Sequence, residues 1–419
     1  MSRLRFSFVL VFLVNSLMAQ EVTTNVFYDE VLSHSDVDVT SLEHLIKSCE
    51  KRKFDDIFVR EFGIPVDTVW FEHKREYFFN RNPNFAWLGN GNYAIMNNGI
   101  HSMLTMGGTT GPMIFLYDEN GRFLRAVSRS GQGPSEIMSA TITIVAKNEK
   151  NFFVTDGMQM KIVVFDNDGN YVREVRHSYS WIPRSFVVSP VSDRYFYCHF
   201  EPLAKIPLLT MGSTKTGIIK KFGDVAMINQ VVVHAGKLHA LAFNEKGYLF
   251  VIKPEEYGFD IYRDNGDFVG HVTQKPPRFW QPPSKKDVQK VLKNDEISMG
   301  IFFSHTRAQG IWYLGNNIIV INYRINYRKG GGKIDSDYLW GMSGKKRPKE
   351  FKIRSYFEFW LVNGEYLGAV ELGESNEYLE GERGVLYKWV EPDKEGADGL
   401  FPNPCLVRYD LWEALRWRR

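Results

Sequence analysis

One pattern of apolar and polar positions recurs along the chain. An apolar strand runs into a two-residue turn ending in glycine, and a second strand follows. The clearest copies are Met113–Val127, Lys161–Val175, Phe259–Val272 and Tyr356–Val370. Their turn glycines are Gly121, Gly169, Gly266 and Gly364, spaced 48, 97 and 98 residues apart. The second gap is twice the first, which predicts a further copy near residue 217. Gly217 stands there, inside Ile206–Phe222. The third gap holds an insertion instead. Asn-Gly and Asp-Gly favour positive φ, so each unit reads as a β-hairpin with a primed turn.

Another strand precedes each hairpin, at Asn92–Met96, Asn151–Thr155, Tyr195–Phe200, Tyr248–Ile252 and Asn317–Tyr323. Three or four strands every 48 residues is the spacing of a propeller blade. A β-sandwich would not hold one turn glycine in a fixed register. The C-terminal part adds two strands of a sixth blade, Val385–Val390 and Pro404–Asp410. Asp67–Glu72 near the N-terminus is the expected outer strand of that blade. The expected fold is all-β, a six-bladed β-propeller over residues 66–419, closed by strands from both ends. Two helices are expected beside it. Thr40-Ser41-Leu42-Glu43 is a capping box in an extension covering 20–65, followed by an apolar stripe of Leu42, Leu45, Ile46 and Cys49. A second helix is expected from Ser284, between blades four and five, with Val288, Val291 and Leu292 on one face.

Residues 1–19 read as a signal peptide. Arg3 and Arg5 precede the apolar run Phe6–Val14, and Ala19 ends a small-residue cleavage site. That run is too short to span a bilayer. Gln20 stands where a lipoprotein has cysteine. The expectation is a soluble periplasmic or extracellular protein with no stable membrane insertion after cleavage. Of three cysteines, Cys49, Cys198 and Cys405, no pair shows zinc or redox spacing. They are expected to be mainly buried thiols.

Composition adds class but little chemistry. Apolar residues make up 44% of the 419, and aromatics 15%, enough for a core built from strands. Lys and Arg number 52 against 49 Asp and Glu, which excludes a dedicated nucleic-acid binder. The ten histidines supply no metal pattern; only His234 and His239 are close, at i and i+5. No catalytic nucleophile motif or phosphate-binding loop is present, and no cofactor is expected. Asn97, Asn98, Asp156 and Asn322 lie near strand ends, where they could reach a central channel.

Two motifs resemble those of a family of exported bacterial six-bladed β-propellers related to the NHL-repeat propellers. Ser130-Gly131-Gln132-Gly133-Pro134-Ser135-Glu136 is similar to its G-Q-G-P-G-E stretch, with Ser135 in place of a glycine. Asn403-Pro404-Cys405-Leu406-Val407-Arg408-Tyr409 is similar to its terminal N-P-x-L-V-x-Y strand. Asp156 and Lys161, five apart, resemble the acidic–basic pair of the NHL blade and are expected to form an ion pair. The resemblance implies ligand or partner binding in the periplasm and no shared reaction.

The candidate binding residues are therefore Gln132, Glu136, Asp156 and Lys161, together with one unusual segment. From Arg324 to Arg354 there are ten basic and three acidic residues, a local charge of +7. This reads as a solvated loop inside blade five, or as a lid or landing site for an acidic glycan, phosphate or protein. Tyr338 and Trp340 could stack on sugar rings, and Lys345, Lys346 and Arg347 could meet acids. The expected role is an exported, non-catalytic binding or scaffold protein for a glycan, peptide or envelope protein. The alternative is a metal-dependent hydrolase or lactonase, or a lyase, of the six-bladed type.

Overall fold

A computed structural model describes residues 66–411, apart from 74–78, 80–82, 97–111, 139–143, 148–149, 158, 177–184, 199–206, 224–239, 253–256, 274–306, 330–349, 372–378, 383 and 391–402. The helices expected at 40–49 and from Ser284, and the signal segment, lie outside the described residues.

The described residues form six four-stranded antiparallel sheets. Strand β1 (Val66–Val69) opens the chain. Blade 1 is β2 (Phe85–Trp87), β3 (Tyr93–Met96), β4 (Pro112–Tyr117) and β5 (Phe123–Arg129). Blade 2 is β6 (Ile144–Lys147), β7 (Asn151–Asp156), β8 (Lys161–Asp166) and β9 (Tyr171–Arg176). Blade 3 is β10 (Phe186–Val188), β11 (Arg194–Cys198), β12 (Leu209–Ser213) and β13 (Gly217–Phe222). Blade 4 is β14 (Leu241–Phe243), β15 (Tyr248–Val251), β16 (Gly258–Arg263) and β17 (Phe268–Thr273). Blade 5 is β18 (Arg307–Gly315), β19 (Ile318–Arg328), β20 (Phe351–Leu361) and β21 (Tyr366–Glu371). Blade 6 is β22 (Leu379–Glu382), β23 (Val385–Val390) and β24 (Cys405–Asp410), with β1 as its outer strand. The protein is a six-bladed β-propeller.

Each blade's first strand packs beside the next blade's first strand, from β2 on β6 round to β18 on β22. Those strands surround the axis, and the fourth strands form the rim. Apolar faces of successive blades interlock between them. This is where the aromatic residues go: Tyr93, Tyr117, Phe152, Phe165, Tyr195, Tyr323 and Trp360 are fully buried. Cys198 and Cys405 are buried free thiols, and burial pushes the Cys198 thiol up to about 12. Cys49 lies outside the described residues.

The hairpin turns differ from the expected primed type. Gly121, Gly169, Gly217, Gly266 and Gly364 all have φ between 77° and 91°, but the residue before each does not share the positive φ. In four of the five turns the glycine N–H bonds back to the carbonyl three residues earlier, as in Gly169 to Asp166 at 2.9 Å. The strand pairing slips by one residue just beside every turn. The turn is therefore an ordinary turn closed by a glycine bulge. The aspartate before it supplies the fixing bonds: Asp166 Oδ1 accepts N–H groups from Asp168 and Asn170. Positive φ at two successive residues occurs instead at Asn316-Asn317, the tight turn joining β18 to β19.

Connections at the two ends of the propeller are unequal. First-to-second and third-to-fourth strand links are short turns, such as 167–170 and 316–317. Links at the opposite end include 97–111, 130–143, 223–240, 274–306 and 329–350. Blade 5 also stands out there. Among the described residues, pairing with β18 and β21 reaches Arg324 and Tyr356, while β19 and β20 run on together from Ile325↔Arg354 to Arg328↔Phe351. The ends of the basic segment 324–354 are thus strand arms, and 330–349 between them lie outside the described residues.

Candidate functional site

The Gly-rich motif lies between the outer strand of blade 1 and the middle hairpin of blade 2. It is a self-contained turn: Ser130 bridges Ile137, and Glu136 N–H bonds to the Gly133 carbonyl at 3.1 Å. The glycines do cradle an anion, and that anion is Glu136 itself. Its Oε2 accepts the Gly133 N–H at 2.8 Å, and its Oε1 accepts Arg129 Nε at 2.6 Å. A Cβ at Gly131 would collide with this carboxylate. That contact explains why the motif spaces two glycines before a glutamate. The Gly133 N–H and then the Arg129 guanidinium hold the Glu136 carboxyl below its ordinary range, so it is ionised at neutral pH.

Blade 2 grips the turn from the other side. Gln159 Nε2 donates to the Gly131 carbonyl at 2.8 Å and to Asp156 Oδ2 at 2.7 Å. Asp156 Oδ2 also accepts the Met138 N–H at 2.7 Å. Lys161 Nζ donates to the Gly133 carbonyl at 3.0 Å and pairs with Glu174 Oε2 at 3.1 Å. Asp156 and Lys161 are directly opposite in register. Their heads nevertheless turn to different partners, so the expected pair is replaced by Lys161–Glu174. Both are buried, at 0% and 1% exposure. Burying them is tolerable because each head group is hydrogen-bonded.

Four expected site residues are therefore brought to one place, but with unequal freedom. Asp156, Lys161 and Glu136 are engaged in holding blade 1 to blade 2. Gln132 is exposed on the turn. Tyr338, Trp340, Lys345, Lys346 and Arg347 lie outside the described residues, as do Asn97, Asn98, His234 and His239. Asn322 is 2% exposed inside blade 5. Gln159 and Glu174 were missed; Gln159 sits in the loop between the acid and the base of the NHL-like pair, and that position was the available signal.

Ser135 has φ 63°, in the left-handed region that favours glycine. Its carbonyl, not its side chain, takes the Ser128 hydroxyl at 2.7 Å. Ser135→Gly should therefore stabilise the protein by about 0.5–1 kcal/mol, read as a rise in denaturation midpoint. An unchanged or lower midpoint would show that this φ carries no strain.

The second motif is also a joint. Asn403 Oδ1 accepts the Phe79 N–H at 2.9 Å, and Asn403 Nδ2 donates to the Glu72 carbonyl at 2.9 Å. It so ties blade 6 to the segment that leads into blade 1. Arg408 pairs with Asp67 at 3.0 Å and donates to the Tyr93 hydroxyl at 2.9 Å.

The most perturbed acid is Glu358 on β20. It is 1% exposed. Both of its oxygens lie near the Tyr257 hydroxyl of blade 4, at 2.8 and 2.7 Å. Burial pushes its carboxyl up to about 8. At neutral pH the carboxyl therefore keeps its proton, which it can donate back to the hydroxyl. Among the described residues, no group of three His, Cys, Asp or Glu side chains is placed to hold a metal ion. No helix among them is long and apolar enough to cross a membrane.

This geometry agrees with the comparisons. Residues 106–239 match the family described as DUF5128, 6-bladed beta-propeller. That match covers the blade 1–blade 2 joint and its Gly-rich turn. No curated protein matches the chain. A Bacteroides fragilis protein described as exported superposes with a TM-score of 0.53 at 11% identity, covering 85% of this chain and 96% of its own. A DUF4221 family member from Bacteroides vulgatus gives 0.51 at 12% identity, covering 82% of this chain and 97% of its own. At those identities the likeness is one of fold.

Proposed function

We propose that the protein is an exported, non-catalytic binding propeller whose partner docks at the end carrying the long connections. The blade 5 hairpin supports this reading best. Among the described residues, strands β19 and β20 pair on past the last pairing with their neighbours, as a two-stranded ribbon. Such a ribbon is marginal on its own and is stabilised by what it contacts. It carries the local +7 charge, so the partner is acidic: a glycan, peptide or envelope protein bearing carboxylates. The short turns at the other end offer no comparable reach.

The test joins Lys329 to Glu350 by a short turn, removing 330–349. Retention on an immobilised polyuronate at low ionic strength should fall at least about tenfold, with the denaturation midpoint nearly unchanged. Full retention by the shortened protein would overturn this placement. A large thermal shift with one divalent cation alone would favour the hydrolase or lyase reading instead.

A further inference from the structure

The seams between blades repeat a contact, and one seam breaks the rule. Each hairpin-turn glycine packs on the outer strand of the preceding blade. A Cβ at Gly121 would strike the Trp70 carbonyl, just after β1. At Gly169 it would lie 2.6 Å from Val127, at Gly266 2.6 Å from Lys220, and at Gly364 2.8 Å from Val272. At Gly217 the nearest atom, the Arg176 carbonyl oxygen, is 3.7 Å away. The seam between blades 2 and 3 gapes there, as an open groove of about 460 Å³.

The sequence changes at the same place. Elsewhere the turn carries Asn-Gly or Asp-Gly; here it reads Thr214-Lys215-Thr216-Gly217. The facing strand β9 keeps Val175 where blades 1 and 4 have Val127 and Val272, but flanks it with Arg173 and Arg176, and all three line the groove. Arg173 is oriented by a 2.8 Å bond from Nη2 to the buried Thr214 hydroxyl, and its Nε has no partner. Arg176 and Lys215 are 77% and 68% exposed at the side chain. The nearby acids are already engaged. Glu174 bonds to buried Lys161 at 3.1 Å and lies 3.6 Å from Arg176. Asp193 accepts the Ser213 hydroxyl at 2.7 Å and lies 3.5 Å from Lys215.

We infer that this groove is an oxyanion site for a phosphate- or sulfate-sized dianion, held by Arg173, Arg176 and Lys215 with the Thr216 hydroxyl. Guanidinium forks suit a tetrahedral dianion, and one wall is fixed by the buried threonine. The site is separate from the blade 5 hairpin and does not depend on it.

Calorimetric titration with inorganic phosphate, and separately with glycerol 3-phosphate, tests this at constant ionic strength set with sodium chloride. Saturable binding at one site is expected, with acetate at least about tenfold weaker. Arg176→Gln and Lys215→Gln should each weaken phosphate by roughly tenfold, and both sit at exposed positions where folding tolerates change. Binding of both ligands assigns an ester carried on a larger molecule. Binding of phosphate alone assigns the free ion. The protein lacking 330–349 should bind phosphate like the full chain. Heat no greater than that of added chloride, or equal binding by both variants, would overturn the assignment.

Discussion

Glu358→Gln should leave stability unchanged near pH 4.5 and raise it by several kcal/mol above pH 8. The carboxyl is pushed up to about 8 in the folded chain against an ordinary 4.5. Below 4.5 it is protonated folded and unfolded, and burial against Tyr257 costs nothing electrostatic. As pH rises, the unfolded chain releases the proton first. The folded chain keeps it until about 8, so stability is lost across that interval and none of the contribution remains above it. At about 1.4 kcal/mol per pH unit, the loss is on the order of 5 kcal/mol. Glutamine keeps one acceptor for the Tyr257 hydroxyl and never ionises. The measurement is the difference in urea unfolding free energy between the two proteins, from pH 4.5 to 9. A difference flat across that range would show that Glu358 is already charged in the fold.

The sequence made the ring legible because its information is local and repeated. A turn glycine needs its positive φ at every copy, so Gly217 could be placed from the spacing of its neighbours alone. The outer strand of blade 6 was legible because the C-terminal blade lacked a strand that 67–72 could supply. The first strands β2, β10 and β14 were not. They have three residues each, too few for alternation to show, and their place is set by packing round the axis. The turn type was misread for a related reason: Asn-Gly fits both a primed turn and a glycine bulge. Only the slip in pairing beside the turn distinguishes them.

The site was less legible than the fold. The two recognisable motifs prove to be joints, one between blades 1 and 2 and one between blades 6 and 1. A glycine-rich loop signals an anion cradle from sequence. Whether the anion comes from outside or from Glu136 depends on where three backbone turns bring that side chain. Asp156 and Lys161 looked like a pair from their NHL-like spacing, yet Lys161 turns to Glu174 in its own blade and both also bind the turn that arrives from blade 1. The blade 2–3 groove had no sequence signal of its own. Thr-Lys-Thr-Gly is an ordinary turn until it is set beside the four other glycine turns, each packed against the preceding blade.

Phe71→Ala should be the most damaging single change near the ring closure. Strand β1 contributes only four residues to blade 6, pairing Val66–Val69 with Leu406–Tyr409. Those bonds alone fasten a short strand weakly. What anchors it is Phe71, 4% exposed, whose ring lies 5.1 to 5.7 Å from Tyr117, Tyr93, Phe79 and Trp389. Tyr93 and Tyr117 belong to blade 1 and Trp389 to blade 6, so one side chain joins the first and last blades. Removing it deletes transfer energy and leaves a cavity among rings that cannot collapse together, a loss of about 3–5 kcal/mol. Trp70→Ala, one residue earlier and 67% exposed, should cost under about 0.5 kcal/mol. Unfolding midpoints for the pair measure the contrast, and protease cleavage between 66 and 79 should accelerate in the Phe71 variant only. If the two variants unfold together, the closure rests on the strand bonds and not on this ring. If Phe71→Ala alone frees the N-terminal segment, Phe71 is the anchor of a closure that Phe79, Phe85 and Trp87 also bridge through rings of blade 6.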